Sequence, residues 1–222
     1  MRSAARIAGL WRYPVKSMLG ERCEELLVDA RGAAGDRLYA VRDAEGKLGS
    51  GKNTGRFRRI EGLFGFKAAG DPPTIAFPDG RSLRADDPAV HGALSAALGL
   101  AVTLSIEEKI PHHDALPLHL VTTGSLARLG ADERRFRANL VIDTPEDGAA
   151  WEGRTLRVGE ATLRVIRQTG RCVMITMAQS ELGEDPRLLR KLARGGGEPL
   201  FGVYADVVVP GRIKRGDAVR LT

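Results

Sequence analysis

The chain has 222 residues, 43% hydrophobic and 28% charged, an ordinary globular composition with length for one medium domain or two small interlocked ones. Its 34 Lys and Arg outnumber 28 Asp and Glu, and the net charge of +6 favours an anionic ligand or partner. Two cysteines, Cys23 and Cys172, are too few for a disulfide framework, an iron–sulfur cluster or a four-cysteine zinc site, so electrons for any redox chemistry must come from elsewhere.

Met1 to Gly9 is basic but has no apolar run before Trp11, and no stretch approaches the roughly 18 apolar residues of a membrane helix, so a cytoplasmic protein without a membrane partner is expected. Ala5 to Val15 predicts a strand ending in Tyr13-Pro14-Val15-Lys16-Ser17, where Pro14 cannot donate to a ladder and turns the chain. Lys16 and Ser17 are left at the strand end, an ammonium and a hydroxyl that can hold an anionic oxygen or simply be solvated. Glu24 to Ala30 predicts a second strand. Asp36 to Gly55 predicts a hairpin in which Leu38, Ala40 and Arg42 alternate before an Ala44-Glu45-Gly46 turn. The glycine-rich run from Gly49 to Gly55 lacks the Gly-Lys-Ser/Thr ending and the helical pattern of a phosphate loop, which argues against a nucleotide triphosphatase.

Arg56 to Ala69 predicts a further strand carrying Phe57, Ile60, Leu63, Phe64 and Phe66, and Asp79-Gly80 turns another hairpin. Asp87-Pro88 opens a helix with Val90, Leu94, Ala97 and Leu98 on one face, up to Gly99. Ala101 to Ile106 and Leu118 to Val121 read as strands, the second handing over to a helix from Thr123 to Leu129 stopped by Gly130. His112 and His113 point apart in extended chain and have no third ligand at metal spacing, so they are expected to be a loop feature. Arg134 to Ile142 combines a basic start with an apolar strand, and a period of two puts Arg137 and Asn139 on one face. Two polar groups there call for a ligand or for each other.

Leu156 and Val158, then Leu163 and Val165, alternate about a Gly159-Glu160 turn. The loop that follows holds Gly170-Arg171-Cys172, a thiol beside a fixed cation. Arg171 would favour the thiolate, the form that binds metals or attacks electrophiles; a buried small hydrophobe is the other reading of a lone cysteine. Asp185-Pro186 caps a helix with Leu188, Leu189 and Leu192 inward, closed at Gly195-Gly196-Gly197, and strands from Phe201 to Val209 and Ala218 to Leu221 finish the chain. About ten or more strands, three short helices and no strand–helix alternation predict a mostly β (α+β), barrel-like fold with helices attached.

Tyr13-Pro14-Val15-Lys16-Ser17, Asp36-Arg37, the run from Phe136 to Ile142, Gly170-Arg171-Cys172, the run from Leu200 to Tyr204, and the ending with Pro210-Gly211 and Gly216-Asp217 occur in order across nearly the whole chain. Together they resemble the MOSC proteins, named for the molybdenum cofactor sulfurase C-terminal domain, and among them the mitochondrial amidoxime-reducing components and their bacterial counterparts. The resemblance implies a β-barrel MOSC domain over 111–222 and a smaller N-terminal β subdomain over 1–110, whose first strands can join the barrel. It implies Cys172 as the catalytic residue and thiolate ligand of molybdenum. It also implies that Lys16, Ser17, Arg37, Asp114, Arg137, Asn139, Arg171 and Tyr204 surround Mo-molybdopterin, a phosphate-bearing pyranopterin.

Met18 stands where many of those relatives carry a second cysteine, and Ala138 where a proline is common. The stretch between Arg37 and Asp114, part of the implied substrate entrance, is short and has Lys52-Asn53 in place of a basic Arg-Gln. The implied activity is molybdenum-dependent reduction of small N-hydroxylated compounds such as hydroxylamines, amidoximes or base analogues. Electrons would come from a separate ferredoxin-like or cytochrome b5-like protein with its reductase. Two further readings stay open: a persulfide on Cys172 that transfers sulfur, and a carrier that stores and hands on the cofactor. Arg56-Phe57-Arg58-Arg59 and Arg134-Arg135-Phe136-Arg137 motivate a nucleic-acid-binding barrel, but at 5% aromatics the stacking platform is thin and nucleic acid is not expected as a partner.

Overall fold

Strands whose alternate residues are apolar need a second surface to cover one face, and here the main sheet covers itself by curling. The computed structural model describes residues 5–179, 181–193 and 196–222; the basic start at Met1 to Ala4 and Gly195 of the predicted helix stop lie outside them. Eight strands lie in the spatial order Val219–Leu221, Thr155–Val158, Ala161–Gly170, Leu200–Val209, Leu118–Thr122, Leu140–Asp143, Arg6–Arg12 and Glu21–Cys23. The sheet rolls until Arg6 pairs with Ala218, with Val219 N donating to Ala5 O at 2.8 Å and Ile7 N to Asp217 O at 2.9 Å. Curling in this way pairs backbone groups that an open edge would leave to solvent.

Inside the barrel Leu10, Leu118, Leu120, Leu140, Ile142, Leu156, Leu163 and Val165 are buried. Each such side chain contributes roughly 1.5–3 kcal/mol on burial. Leu118–Thr122 runs parallel to Leu140–Asp143, and the predicted helix Thr123–Leu129 makes part of the crossover. The Thr122 side chain accepts from Ser125 N, and Gly130 ends the helix in the left-handed region at φ 66°.

The N-terminal half builds a second core. A four-stranded sheet of Val102–Ile106, Tyr39–Asp43, Leu48–Ser50 and Phe57–Arg59 packs with a three-stranded sheet of Ser82–Arg84, Pro73–Ala76 and Lys67–Gly70. Val90 and Leu94 of helix Ala89–Leu98 enter this core beside Phe66, Ile75 and Met18, so Met18 serves as a fully buried packing residue. The two halves interlock through a fourth sheet, in which Glu25–Asp29 pairs with the late strand Gly211–Lys214.

Two predicted strands come out differently. Arg56 to Ala69 is broken into Phe57–Arg59, a 3-10 turn at Leu63–Gly65 and Lys67–Gly70, because Gly62 takes φ 84° and reverses the chain before the aromatic run. Arg134 to Ile142 is a strand only over Leu140–Asp143; Glu133–Phe136 forms a 3-10 turn whose start is capped by the Asp132 carboxylate. The remaining predicted strands and all three predicted helices are present, and the fold is mostly β, with three short helices among the described residues. No helix among the described residues is long and apolar enough to cross a membrane.

Candidate functional site

Where the barrel meets the second core, a cavity of about 340 Å³ opens, and every residue that the family resemblance assigns to the site lines it: Cys172, Lys16, Ser17, Arg37, Asp114, Arg137, Asn139, Arg171 and Tyr204. Backbone conformation presents three of them. Among the described residues, Ser17 (φ 63°), Arg37 (φ 51°) and Arg137 (φ 53°) are the only non-glycine residues in the left-handed region. Such a conformation costs of order 1 kcal/mol or more per residue and persists only where surrounding contacts enforce it. All three strained residues face the same cavity.

The cavity is strongly cationic. Among the described residues, seven Lys and Arg side chains line it against two carboxylates, Asp114 and Glu198. Lys16 is buried with its Nζ 2.7 Å from Asp114 Oδ1 and 4.7 Å from the Phe57 ring centroid. Burial lowers its pKa to about 8, with Asp114 opposing the shift. Burial would raise Asp114, but the charge and hydrogen bond of Lys16 outweigh it and hold that carboxyl down at about 2.

Arg37 and Arg137 form the back wall. The Arg37 guanidinium pairs with the fully buried Asp36 carboxylate and donates from Nη2 to Arg137 O at 3.0 Å. Burial pushes Asp36 upward, but Arg37 and His113 more than offset it and hold the carboxyl well below the usual range. Tyr13 N also donates to Asp36 Oδ1 at 2.8 Å. The Arg137 guanidinium lies 4.3 Å from the Tyr13 ring centroid and donates from Nη1 to Met18 O, while its buried Nη2 has no partner. Burial, and then the neighbouring Arg37 charge, lower its pKa to about 10. Buried donors are normally satisfied, so an unpartnered guanidinium nitrogen in a cavity wall calls for an acceptor.

Arg171 repeats the pattern. Its Nη2 donates to Phe136 O at 2.9 Å, its Nε is buried without a partner, and burial lowers its pKa. Cys172 follows as a half-buried free thiol at the start of the 3-10 turn Val173–Thr176. The strand leading to it, Ala161–Gly170, carries register shifts at Val165/Arg167 and Gln168/Gly170. Such irregularities re-aim side chains next to functional sites, and Arg167, lying 5.5 Å from the Tyr204 ring centroid, lines the cavity.

Asn139 behaves differently from the others. Its Oδ1 accepts from His119 N at 3.2 Å and its Nδ2 donates to Trp11 O at 3.3 Å, so its amide ties two barrel strands together at the cavity floor. Because Arg137 lies in the left-handed turn before the strand, the period-two argument that paired it with Asn139 does not hold; both reach the cavity by separate routes.

Further lining residues, among them His119, Arg135, Arg167 and His113, were not assigned to the site from the sequence. His119 is buried in the apolar strand Leu118–Thr122, its Nε2 has no partner, and burial together with Arg171 and Arg37 holds its pKa well below the ordinary value. Its polar identity within Leu118-His119-Leu120-Val121 was the available signal. Gly202, at φ 74°, allows that ring to approach, since a Cβ there would sit 2.5 Å from His119 Nε2. Arg135 is buried and donates to Met177 O at 3.2 Å and to the Ile175 and Gly183 carbonyls, clamping the segment that follows Cys172. Arg167 and His113 also line the cavity, His113 with Nε2 at 3.5 Å from Asp36 Oδ2.

The loop histidines make no metal site: no group of three or more His, Cys, Asp or Glu is poised for a metal among the described residues. Phe57 and Phe136, the aromatic members of the two basic clusters, are both buried, and Phe136 stacks on Phe201 at 4.1 Å, so neither ring is offered to a base.

Comparison with known proteins agrees with this architecture. Residues 107–220 match the MOSC domain, and residues 4–83 match the MOSC N-terminal beta barrel domain. No curated protein matches the chain. Among solved structures, the YuaD protein from Bacillus subtilis is similar in fold, with a TM-score of 0.54 at 16% identity over 100% of this chain and 97% of that one. YiiM from Geobacillus stearothermophilus aligns at a TM-score of 0.39 and 18% identity over 48% of this chain and 54% of that one. YiiM from Escherichia coli aligns at 0.43 and 12% over 100% and 70%. With its MOSC match spanning more than half of the residues and the N-terminal barrel match preceding it, the chain belongs to the MOSC domain family.

Proposed function

We propose that this protein is a molybdenum-cofactor-dependent reductase of small N-hydroxylated compounds, akin to the amidoxime-reducing components. The observation that supports it is a half-buried free thiol sharing one cavity with seven cationic side chains, two of which keep buried N–H groups without partners. The residues fit a phosphate-bearing pyranopterin: guanidinium forks suit phosphate oxygens, and a thiolate suits a soft metal. When bound, the cofactor supplies a molybdenum centre whose two-electron redox cycle removes oxygen from the substrate.

In this reading Lys16, Arg37 and Arg137 hold the anionic tail. The Ser17 hydroxyl donates to Gly49 O at 3.0 Å, which leaves its lone pairs open to a donor on the ligand. Arg171 Nε and Arg137 Nη2 would be free to donate to the cofactor, and Tyr204 and Asn139 would line the space it takes. Cys172 supplies the protein sulfur. The overall conversion, R–NHOH with two electrons and two protons to R–NH2 and water, takes its electrons from a separate donor protein, because the chain has one cysteine besides Cys172. Asp114, whose side chain is 45% exposed, pairs with Lys16 Nζ where the cavity meets solvent.

Metal analysis of protein expressed with the cofactor available is the test. Near-stoichiometric molybdenum, with turnover of a simple amidoxime by a chemical reductant in wild type and none in Cys172→Ser, is expected. Molybdenum at trace level overturns the proposal, and a stable extra sulfur on Cys172 without pterin fluorescence would mark sulfur transfer instead.

A further inference from the structure

The glycine-rich run from Gly49 to Gly55 and the basic cluster Arg56-Phe57-Arg58-Arg59 are sequence features that the thiol cavity leaves largely unused. In the structure they form one loop between the strands Leu48–Ser50 and Phe57–Arg59. Thr54 Oγ1 accepts from Arg56 N at 3.3 Å and from Phe57 N at 3.1 Å, Asn53 Oδ1 accepts from Arg59 N at 2.7 Å, and Thr54 N donates to Phe57 O at 2.9 Å. Pinned by its own side chains, the loop presents its cations from fixed positions.

Those cations gather on one ring. Lys16 Nζ, Lys52 Nζ and the Arg56 guanidinium lie 4.7, 4.9 and 5.3 Å from the centroid of the buried Phe57. Contact with the ring face offsets part of their mutual repulsion. Lys16 has its counter-charge in Asp114, and nearby cations are matched too, Lys47 by Glu45 at 2.7 Å and Arg59 by Glu61 at 3.0 Å. Lys52 and Arg56 have no carboxylate partner among the described residues.

Arg56 shows what is missing. Its Nε and Nη2 are both buried and both without a partner. These two nitrogens form the side-on edge of the guanidinium, the fork that grips two oxygens of one anion. Elsewhere in this protein the same edge is filled: Arg31 gives Nε and Nη2 to the two Glu107 oxygens at 2.7 Å each, and Arg84 gives them to the Asp86 oxygens at 2.9 and 2.7 Å. A fork sheltered from water and left empty is costly, and one oxyanion relieves both it and the unmatched lysine beside it.

We propose that Lys52 and Arg56 form a second oxyanion site, beside the thiol cavity, that takes a phosphate group. Lys52 joins the two places, since it also lines the cavity, whereas Arg56 stands outside that lining. The group bound here is therefore a different one from the tail held by Lys16, Arg37 and Arg137. A tetrahedral phosphate offers two oxygens to the Arg56 fork and a third to Lys52, while a carboxylate fills the fork and leaves Lys52 unmatched. This phosphate belongs either to a nucleotide arm on the cofactor or to a phosphorylated substrate. The site goes beyond the reductase reading, which needs one anionic tail, and does not depend on it.

The experiment reads the two places separately. Inorganic phosphate is titrated at low salt into the isotope-labelled full chain, and backbone amide shifts over 51–59 and 170–172 are followed by NMR in wild type, Lys52→Gln and Arg56→Gln. Both side chains are partly exposed, so neither change opens a core. Saturable shifts over 51–59 are expected in wild type, with a Kd that rises at least tenfold in both variants, while in Arg56→Gln any response over 170–172 keeps its midpoint. No shift over 51–59, or one midpoint shared by both segments that neither variant moves, overturns the proposal. Protein carrying the cofactor then separates the two sources. A nucleoside monophosphate released by acid in step with the pterin, with 51–59 no longer answering to added phosphate, assigns the site to a nucleotide arm; no nucleotide, with 51–59 still responding, assigns it to the substrate. If 51–59 responds but the protein carries no molybdenum and turns over no amidoxime, the reductase reading falls and the phosphate site stands.

Discussion

Asp36 offers the sharpest test of how the cationic wall is held. Its carboxylate is fully buried, pairs with Arg37, accepts from Tyr13 N at 2.8 Å and lies 3.5 Å from His113 Nε2. Asp36→Asn keeps the shape and an acceptor for Tyr13 N, but it leaves the Arg37 guanidinium buried beside Arg137 with no counter-charge. Breaking a buried pair from one side costs about 3–5 kcal/mol, a large part of the roughly 5–15 kcal/mol of a typical domain. At about 2–4 °C per kcal/mol for a chain of this size, the melting temperature should fall by roughly 6–20 °C. The sign with pH follows from linkage. A carboxyl held below its unfolded value stabilises the fold above that value, near 3.9, and loses its contribution as pH falls through its folded value. The gap between wild type and Asp36→Asn, followed by circular dichroism, should therefore be constant from about pH 8 to pH 5 and narrow only in strong acid. Sulfate bound in the cavity should restore part of the lost stability by supplying Arg37 with a counter-charge from that side. A melting temperature within 2 °C of wild type at pH 7, or a gap that widens in acid, would refute this account of the wall.

Three further outcomes are expected. Cys172→Ser should melt within a few degrees of wild type yet retain less than a tenth of its molybdenum, read by mass spectrometry of the metal; full retention would remove Cys172 from the ligand role. Because burial lowers Lys16 to about 8, its charge fades above that pH, whereas an ordinary lysine would hold its charge to beyond pH 9. In a Cys172→Ser background, sulfate affinity should therefore drop several-fold between pH 7 and pH 9 and stay nearly level in Lys16→Arg; parallel profiles would count against the assignment. Arg135→Ala removes the donors to the Ile175, Met177 and Gly183 carbonyls, and amide exchange over 174–179 should quicken by at least tenfold while the barrel strands keep their protection. Equal rates in that segment would show that the clamp is dispensable.

Local periodicity and chain-end chemistry are written in neighbouring residues, and those parts of the molecule were legible without coordinates. The hairpin about Gly159-Glu160, the helix Thr123–Leu129 with its glycine stop and the mostly β character all follow from alternation, caps and turn residues acting within a few positions. Net positive charge and a lone cysteine behind an arginine likewise pointed to an anion and a thiolate. Tertiary structure decided the rest. Ser17, Arg37 and Arg137 adopt a left-handed backbone that no propensity of serine or arginine requests, and only long-range contacts such as Arg37 to the Arg137 carbonyl enforce it. His119 reads as an interruption of an apolar strand until the curled sheet brings it under Tyr204, 5.7 Å between ring centroids. A hollow beside the thiol cavity is lined by both Phe64 of the N-terminal half and Met174 of the barrel, 110 positions apart in the chain. A sequence period states which face a residue takes, whereas what stands opposite that face is set by the closure of the fold.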